Sequence, residues 1–311
     1  MSLTDLATLI QDTNAAIIDA ERFLAAEPND IFARLNAQSL QKRLSDLQER
    51  FDEAASLSQV EVLRYRLFKQ PAEVSLRTVN ELLATFQQSF TVVYDSIASN
   101  TAKKRARLSE NTLRSTNFNF AYSYAGSLGF ALTLPREPTL LANDHDEAIQ
   151  VIRELTQTRD EADVKSFADN YGLASVRTMY KWLDALSKAD ADAELDWRGS
   201  AAESEPFIIQ VADARVVRDL IARTSDVEYT ERPYRGTLLA YDSQRHTFRF
   251  AVGNRRTIHG SVSHAITDPL EVPEEYDVLV RVSTVELYST EQTEERYELT
   301  SIAPAGSTRV L

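Results

Sequence analysis

The run Phe118 to Leu134, FNFAYSYAGSLGFALTL, is the first long stretch with the chemistry of a strand, and the surrounding chain must supply its cover. Phe118, Phe120, Tyr122 and Tyr124 recur at every second residue, so they share one face of an extended chain. Phe130, Leu132 and Leu134 resume that spacing after Gly126-Ser127-Leu128-Gly129. Glycine accepts the backbone angles of a tight turn or bulge without strain, so one bent strand and a hairpin both fit. A Gly-Ser-x-Gly sequence also suits a phosphate cradle. It lacks the spacing and lysine of a P-loop, however, and a structural turn is the expected role.

Helical patterns precede this run. Leu3, Leu6, Ile10, Ile17 and Phe23 mark one apolar stripe, and Glu27-Pro28-Asn29-Asp30 interrupts it because proline cannot continue the hydrogen-bond ladder. Asn29 or Asp30 then caps a second helix, along which Ile31, Leu35, Leu40, Leu44, Leu47 and Phe51 repeat as in a coiled-coil seam. The two stripes predict an antiparallel helical hairpin over residues 1–58, with Leu35, Leu40, Leu44, Leu47 and Phe51 as its interaction residues. Packing on the rest of the molecule and docking of a partner or second copy both follow from such stripes.

Val60, Val62, Tyr65 and Leu67 fit a short strand or a continuation of the second helix. Val74 to Ile97 has a broad apolar helical face suited to covering the strand run, and a helix is expected through Ile149, Ile152 and Leu155. Ala193 to Trp197 and Phe207 to Val211 read as short strands, followed by a helix from Ala212 to Arg223. Beyond Pro233 the pattern is strand-like throughout, predicting a small closed barrel of OB or SH3-like type over 233–311. The fold class expected is therefore α+β: a helical hairpin, a central mixed domain over 59–232, and a terminal barrel.

Two features invite a nucleic-acid reading. Residues 164–186 resemble a helix-turn-helix, with Gly172 at the turn and Arg177, Tyr180 and Lys181 as would-be base contacts. Lys103, Lys104, Arg105 and Arg107 form the main basic concentration, without interleaved aromatics. On the barrel, His246, Arg249, Arg255, Arg256 and His259 bring basic groups onto adjoining strands. Against these stands a net charge of -13, which repels phosphate on average and argues against a general nucleic-acid binder.

Other chemistry is sparse. Zero cysteines exclude disulfides, thiolate metal sites and a cysteine nucleophile. His259 and His264 are an odd number of positions apart, on opposite faces of one regular strand, and would not converge on a metal from it. Neither a nucleophile elbow, a dinucleotide fingerprint nor a Walker sequence occurs, so no metal or cofactor is expected. The amino terminus reads as neither signal peptide nor membrane span, which makes the cytoplasm the expected compartment. These readings order the functions as a non-catalytic interaction or scaffold subunit of a complex first, a DNA- or RNA-binding regulator second, and an enzyme of distant residues third.

Overall fold

The structure is a computed structural model that describes residues 1–68, 74–124, 128–136, 144–199, 205–253, 256–266 and 270–306. The chain divides into two compact units, Met1–Ala222 and Arg223–Leu311.

The first unit is a five-stranded sheet with helices on both faces. Helices α1 (Leu3–Ala26) and α2 (Ile31–Leu57) form the hairpin. Ser2 and Asp5 make a reciprocal capping box at the start of α1, and the Asp30 carboxylate accepts the Ala33 N–H at 3.0 Å to open α2. The ambiguous segment after α2 is strand β1 (Val60–Phe68), and it lies at the centre of the sheet. Around it the order is β2 (Asn119–Tyr124), β3 (Leu128–Pro135), β1, β4 (Asp192–Arg198) and β5 (Phe207–Ile209). A central strand is covered on both faces, so its residues need not alternate apolar with polar, and its period is correspondingly faint. Strands β2 and β3 pair antiparallel with Tyr124 opposite Gly129, so the aromatic run is a hairpin. Gly126 and Ser127, the proposed phosphate cradle, lie outside the described residues.

One face of the sheet packs on α3 (Leu76–Ser99), α5 (Asp144–Thr156) and α6 (Glu161–Ala189). There Tyr65 lies 5.2 Å from Phe86 and accepts a hydrogen bond from the Trp182 indole at 3.1 Å. Buried Glu61 and His145 approach to 2.8 Å and tie α5 to β1. On the opposite face Val62, Tyr122 and Ala131 share a core with Leu6 and Ile10 of α1 and Leu47, Phe51 and Ala55 of α2. The base of the hairpin thus belongs to the core of the sheet. Two further helices, α4 (Glu110–Thr116) and α7 (Val211–Arg223), complete this part of the chain.

The second unit is a closed barrel of β6 (Ser225–Asp242), β7 (Thr247–Val252), β8 (Arg256–Val262), β9 (Glu274–Leu287) and β10 (Thr293–Pro304). Its order is β10-β8-β7-β6-β9, closed by β9 with β10. Leu238, Phe248, Phe250, Ile258, Val278, Val280, Val282 and Leu299 fill it. Closure depends on Gly260, where any Cβ would stand 1.9 Å from the Tyr297 carbonyl oxygen. The strand pattern starts before Pro233, because β6 runs through that proline, which pairs opposite Leu279. At that point β9 is its one neighbour among the described residues, and a strand edge accepts the missing N–H.

Candidate functional site

The hairpin changes character along its length. Near the sheet Leu47 and Phe51 are buried, with Phe51 edge-on to Tyr122 at 5.2 Å, and Leu44 packs half-buried beside them. Leu40 is also half-buried. From Ile18 to Asn36, by contrast, no residue is buried. This tip presents Phe32 at 85% exposure, Ile31 at 66%, Leu35 at 57% and Phe23 at 51%. Ala20, Phe23, Asp30, Phe32, Ala33 and Asn36 line a shallow groove of ≈ 320 Å³ there. The Arg34 guanidinium donates to the Pro28 carbonyl at 2.8 Å and so braces the turn beneath the apolar residues. Of the five seam residues, Leu35 alone is largely open to water.

A second site lies between α2 and the sheet, where the sequence offered only scattered charges. On this face Arg64 stands opposite Asp196 and Arg66 opposite Glu194, because β1 and β4 run in antiparallel register. Arg64 grips both oxygens of Asp52 on α2 at 2.8 Å and donates to Asp196 at 3.2 Å. Burial by itself would depress the Arg64 guanidinium, but Tyr122 and Asp52 beside it outweigh burial and hold it above its usual value. Burial raises Asp52 against the pull of Arg64, and burial also pushes the Tyr124 hydroxyl up to about 12. Together with Ser45, Gln48, Glu49, Arg198 and Pro206 these groups line a groove of ≈ 600 Å³. Its charges are mutually engaged, as Arg66 with Glu194 at 3.5 Å and Arg198 with Asp196 at 3.0 Å also show. The arrangement is a clamp that holds α2 on the sheet.

The helix-turn-helix-like segment and the basic stretch are one structural feature. Helix α6 is continuous except at Gly172, where φ is 83° and ψ is 153°. The backbone of residues 102–103 crosses this kink so closely that a Cβ on Gly172 would lie 2.3 Å from the Lys103 nitrogen. The Ala174 N–H donates to the Lys103 carbonyl at 3.0 Å, and buried Arg177 donates to the Lys104 carbonyl at 2.9 Å. Arg177 therefore braces a loop and is sequestered from any groove-reading role. Tyr180 is half-buried and Lys181 exposed. The Lys103 ammonium is held by Asp95 at 2.5 Å, whereas Lys104, Arg105 and Arg107 are exposed.

On the barrel, Arg249 and His259 are cross-strand partners on the outer face and both are exposed. His246 lies at the turn before β7, half-buried, and Arg256 bonds the Tyr297 hydroxyl at 2.9 Å near the barrel rim. Arg255 lies outside the described residues. Among the described residues no three histidine or carboxylate groups gather to hold a metal ion, and no helix is long and apolar enough to cross a membrane. Comparison with known families, with characterised proteins and with solved structures finds no match.

Proposed function

We propose that this chain is a non-catalytic interaction subunit that docks a partner protein on the tip of its helical hairpin. The single observation that carries this reading is the stretch Ile18 to Asn36, which has no buried residue yet leaves Phe23, Ile31, Phe32 and Leu35 more than half exposed, with Phe23 and Phe32 lining one groove. Large apolar side chains left in water on one short segment mark a binding surface, and such side chains are the anchors these surfaces use. Asp19, Glu21, Glu27 and Asp30 surround it, while Arg22 is paired with Asp19 and Arg34 with the Pro28 carbonyl. Two such acidic tips repel, so the favoured occupant is a different protein with an apolar anchor flanked by basic residues.

The barrel supports the same architecture as an OB-type module. Its third strand β8 lies parallel to its fifth strand β10, and β9 closes the ring between β10 and β6. The Arg64 clamp serves the proposal by giving the hairpin a rigid base.

The test replaces Phe23, Ile31, Phe32 and Leu35 together by serine in the native organism. The wild-type protein should elute from a size-exclusion column in a complex larger than its own mass, and the variant as free protein with unchanged circular dichroism. Co-elution of both at the mass of the chain alone contradicts the proposal.

A further inference from the structure

The barrel carries an interaction surface of its own, and we propose that the free edge of β6 pairs antiparallel with β6 of a second copy of this chain. The strand is 18 residues long, and β9 pairs along one side of it from Ser225, but β7 covers its other side only from Gly236 onward. Among the described residues no strand pairs with that second edge between Ser225 and Arg235. The Tyr288 N–H donates to the Thr224 carbonyl at 3.2 Å, which sets the phase of the ladder with β9. Even-numbered residues of β6 therefore turn their amides to β9, and Ser225, Val227, Tyr229, Glu231 and Arg235 turn theirs outward. Pro233 falls in the outward set, where its missing N–H costs β9 no bond. Every residue from Val227 to Glu231 is exposed, on both faces of the strand, with Val227 at 43% and Tyr229 at 67%. An outward row of backbone amides of this kind is a template for another strand.

The charges choose the occupant. Asp226, Glu228 and Glu231 come first along this edge and Arg232 and Arg235 last, so three carboxylates and two guanidiniums leave -1 in a chain of -13. Antiparallel pairing of two copies sets the acidic part of each against the basic part of the other. Two-fold symmetry requires one residue to face its own copy. The free edge runs from Ser225 to Arg235, and its midpoint is Thr230. With Thr230 on the axis, Glu228 faces Arg232 and Ser225 faces Arg235, each twice, and Tyr229 faces Glu231. The outward amides of Tyr229 and Glu231 then exchange hydrogen bonds. Centring on Glu228, Glu231 or Arg232 sets like charges face to face, which is destabilising. Centring on Tyr229 shortens the ladder and calls on Asp226 to face Arg232, although Asp226 already accepts the Tyr288 hydroxyl at 2.7 Å. Arg232 keeps a loose partner in Glu295 at 3.5 Å, and its 42% exposed side chain can also meet a second carboxylate. The product is one sheet continuous across the axis, with β10-β9-β6 of one copy meeting β6-β9-β10 of the other.

The chain has no cysteine, so Thr230→Cys supplies a single thiol that faces its own copy across the axis. Partners at a non-hydrogen-bonded position stand about 4.5 Å apart at Cα, within reach of a disulfide. Copper-phenanthroline oxidation of the full chain should yield a covalent dimer, whereas Ser243→Cys, exposed in the turn after β6, should stay monomeric. In sedimentation velocity over a concentration series, the unmodified chain should show a reversible equilibrium between monomer and dimer. Glu228→Lys sets lysine against Arg232 twice and should weaken the dimer at least about tenfold with unchanged circular dichroism. Glu228→Lys combined with Arg232→Glu restores opposite charges and should recover dimerisation to within about threefold of the unmodified chain. Phe32→Ser at the hairpin tip should leave the dimer unchanged. A chain monomeric at every concentration overturns the proposal and leaves the edge to an extended segment of another protein. A dimer indifferent to Glu228→Lys overturns it, as does failure of the paired reversal to restore one, or Thr230→Cys cross-linking no better than Ser243→Cys. Loss of the dimer on Phe32→Ser also overturns it and moves self-association to the hairpin.

Discussion

Replacing Arg64 by methionine should unlock the hairpin from the sheet, and the size of the effect follows from what the side chain leaves behind. Arg64 is 15% exposed at its side chain and is bound to Asp52 and Asp196, which are 27% and 15% exposed. Its removal strands two carboxylates in a partly buried site. Breaking such a pair from one side costs about 3–5 kcal/mol, whereas replacing every member by neutral groups is close to neutral. Arg64→Met should therefore destabilise the first unit by about 3 kcal/mol, or roughly 6–12 °C in Tm for a unit of this size. Arg64→Met combined with Asp52→Asn and Asp196→Asn should recover all but about 1 kcal/mol. Both tryptophans, Trp182 and Trp197, are in the first unit, so their fluorescence in a urea titration follows it without interference from the barrel. A loss below about 0.5 kcal/mol for Arg64→Met, the usual size of a surface substitution, would refute the clamp.

Asp52→Asn alone should be milder than Arg64→Met. Burial raises the Asp52 pKa, so its contribution to stability is complete below the unfolded value and is lost as pH rises through the folded one; urea titrations across the acid range should show that Asn removes this loss. Gly172→Ala should cost at least about 1–3 kcal/mol from its positive φ alone, and the clash with the Lys103 backbone should also raise hydrogen exchange at the Ala174 amide. Phe51→Ala should cost about 3–5 kcal/mol in the same fluorescence assay, since it empties the core shared by hairpin and sheet. A fragment of residues 223–311 should give a dispersed amide spectrum, and a collapsed one would deny the barrel its own core.

What was legible in the sequence was mainly periodicity. The hairpin, the long helix at α3 and the barrel strands each bury one face, so their apolar residues recur at the period of the element. Strand β1 was ambiguous because both its faces are covered: Arg64 and Arg66 alternate with Leu63, Tyr65 and Leu67, but buried Glu61 and Val62 reverse that phase. The clamp itself was hidden because tertiary packing brings Arg64 to Asp52, 12 residues before it, and to Asp196, 132 residues after it. The Gly172 turn was visible, but its meaning was not, since the segment that crosses it is contributed by the basic stretch near Lys103. Seam residues from Leu40 to Phe51 carry the same pattern as the tip. Only the packing of Leu47 and Phe51 on the sheet separates a core-forming base from an open end.

Site-specific photocrosslinking from the hairpin tip tests the docking reading most directly. With p-benzoylphenylalanine in place of Phe32, irradiation in the native cell should give one dominant adduct between this chain and a different protein. Ile31→Ser with Leu35→Ser in the same chain should suppress it, because those side chains form the rest of the apolar surface. Absence of an adduct, an adduct indifferent to the two serines, or one formed solely with a second copy of the chain would contradict the account.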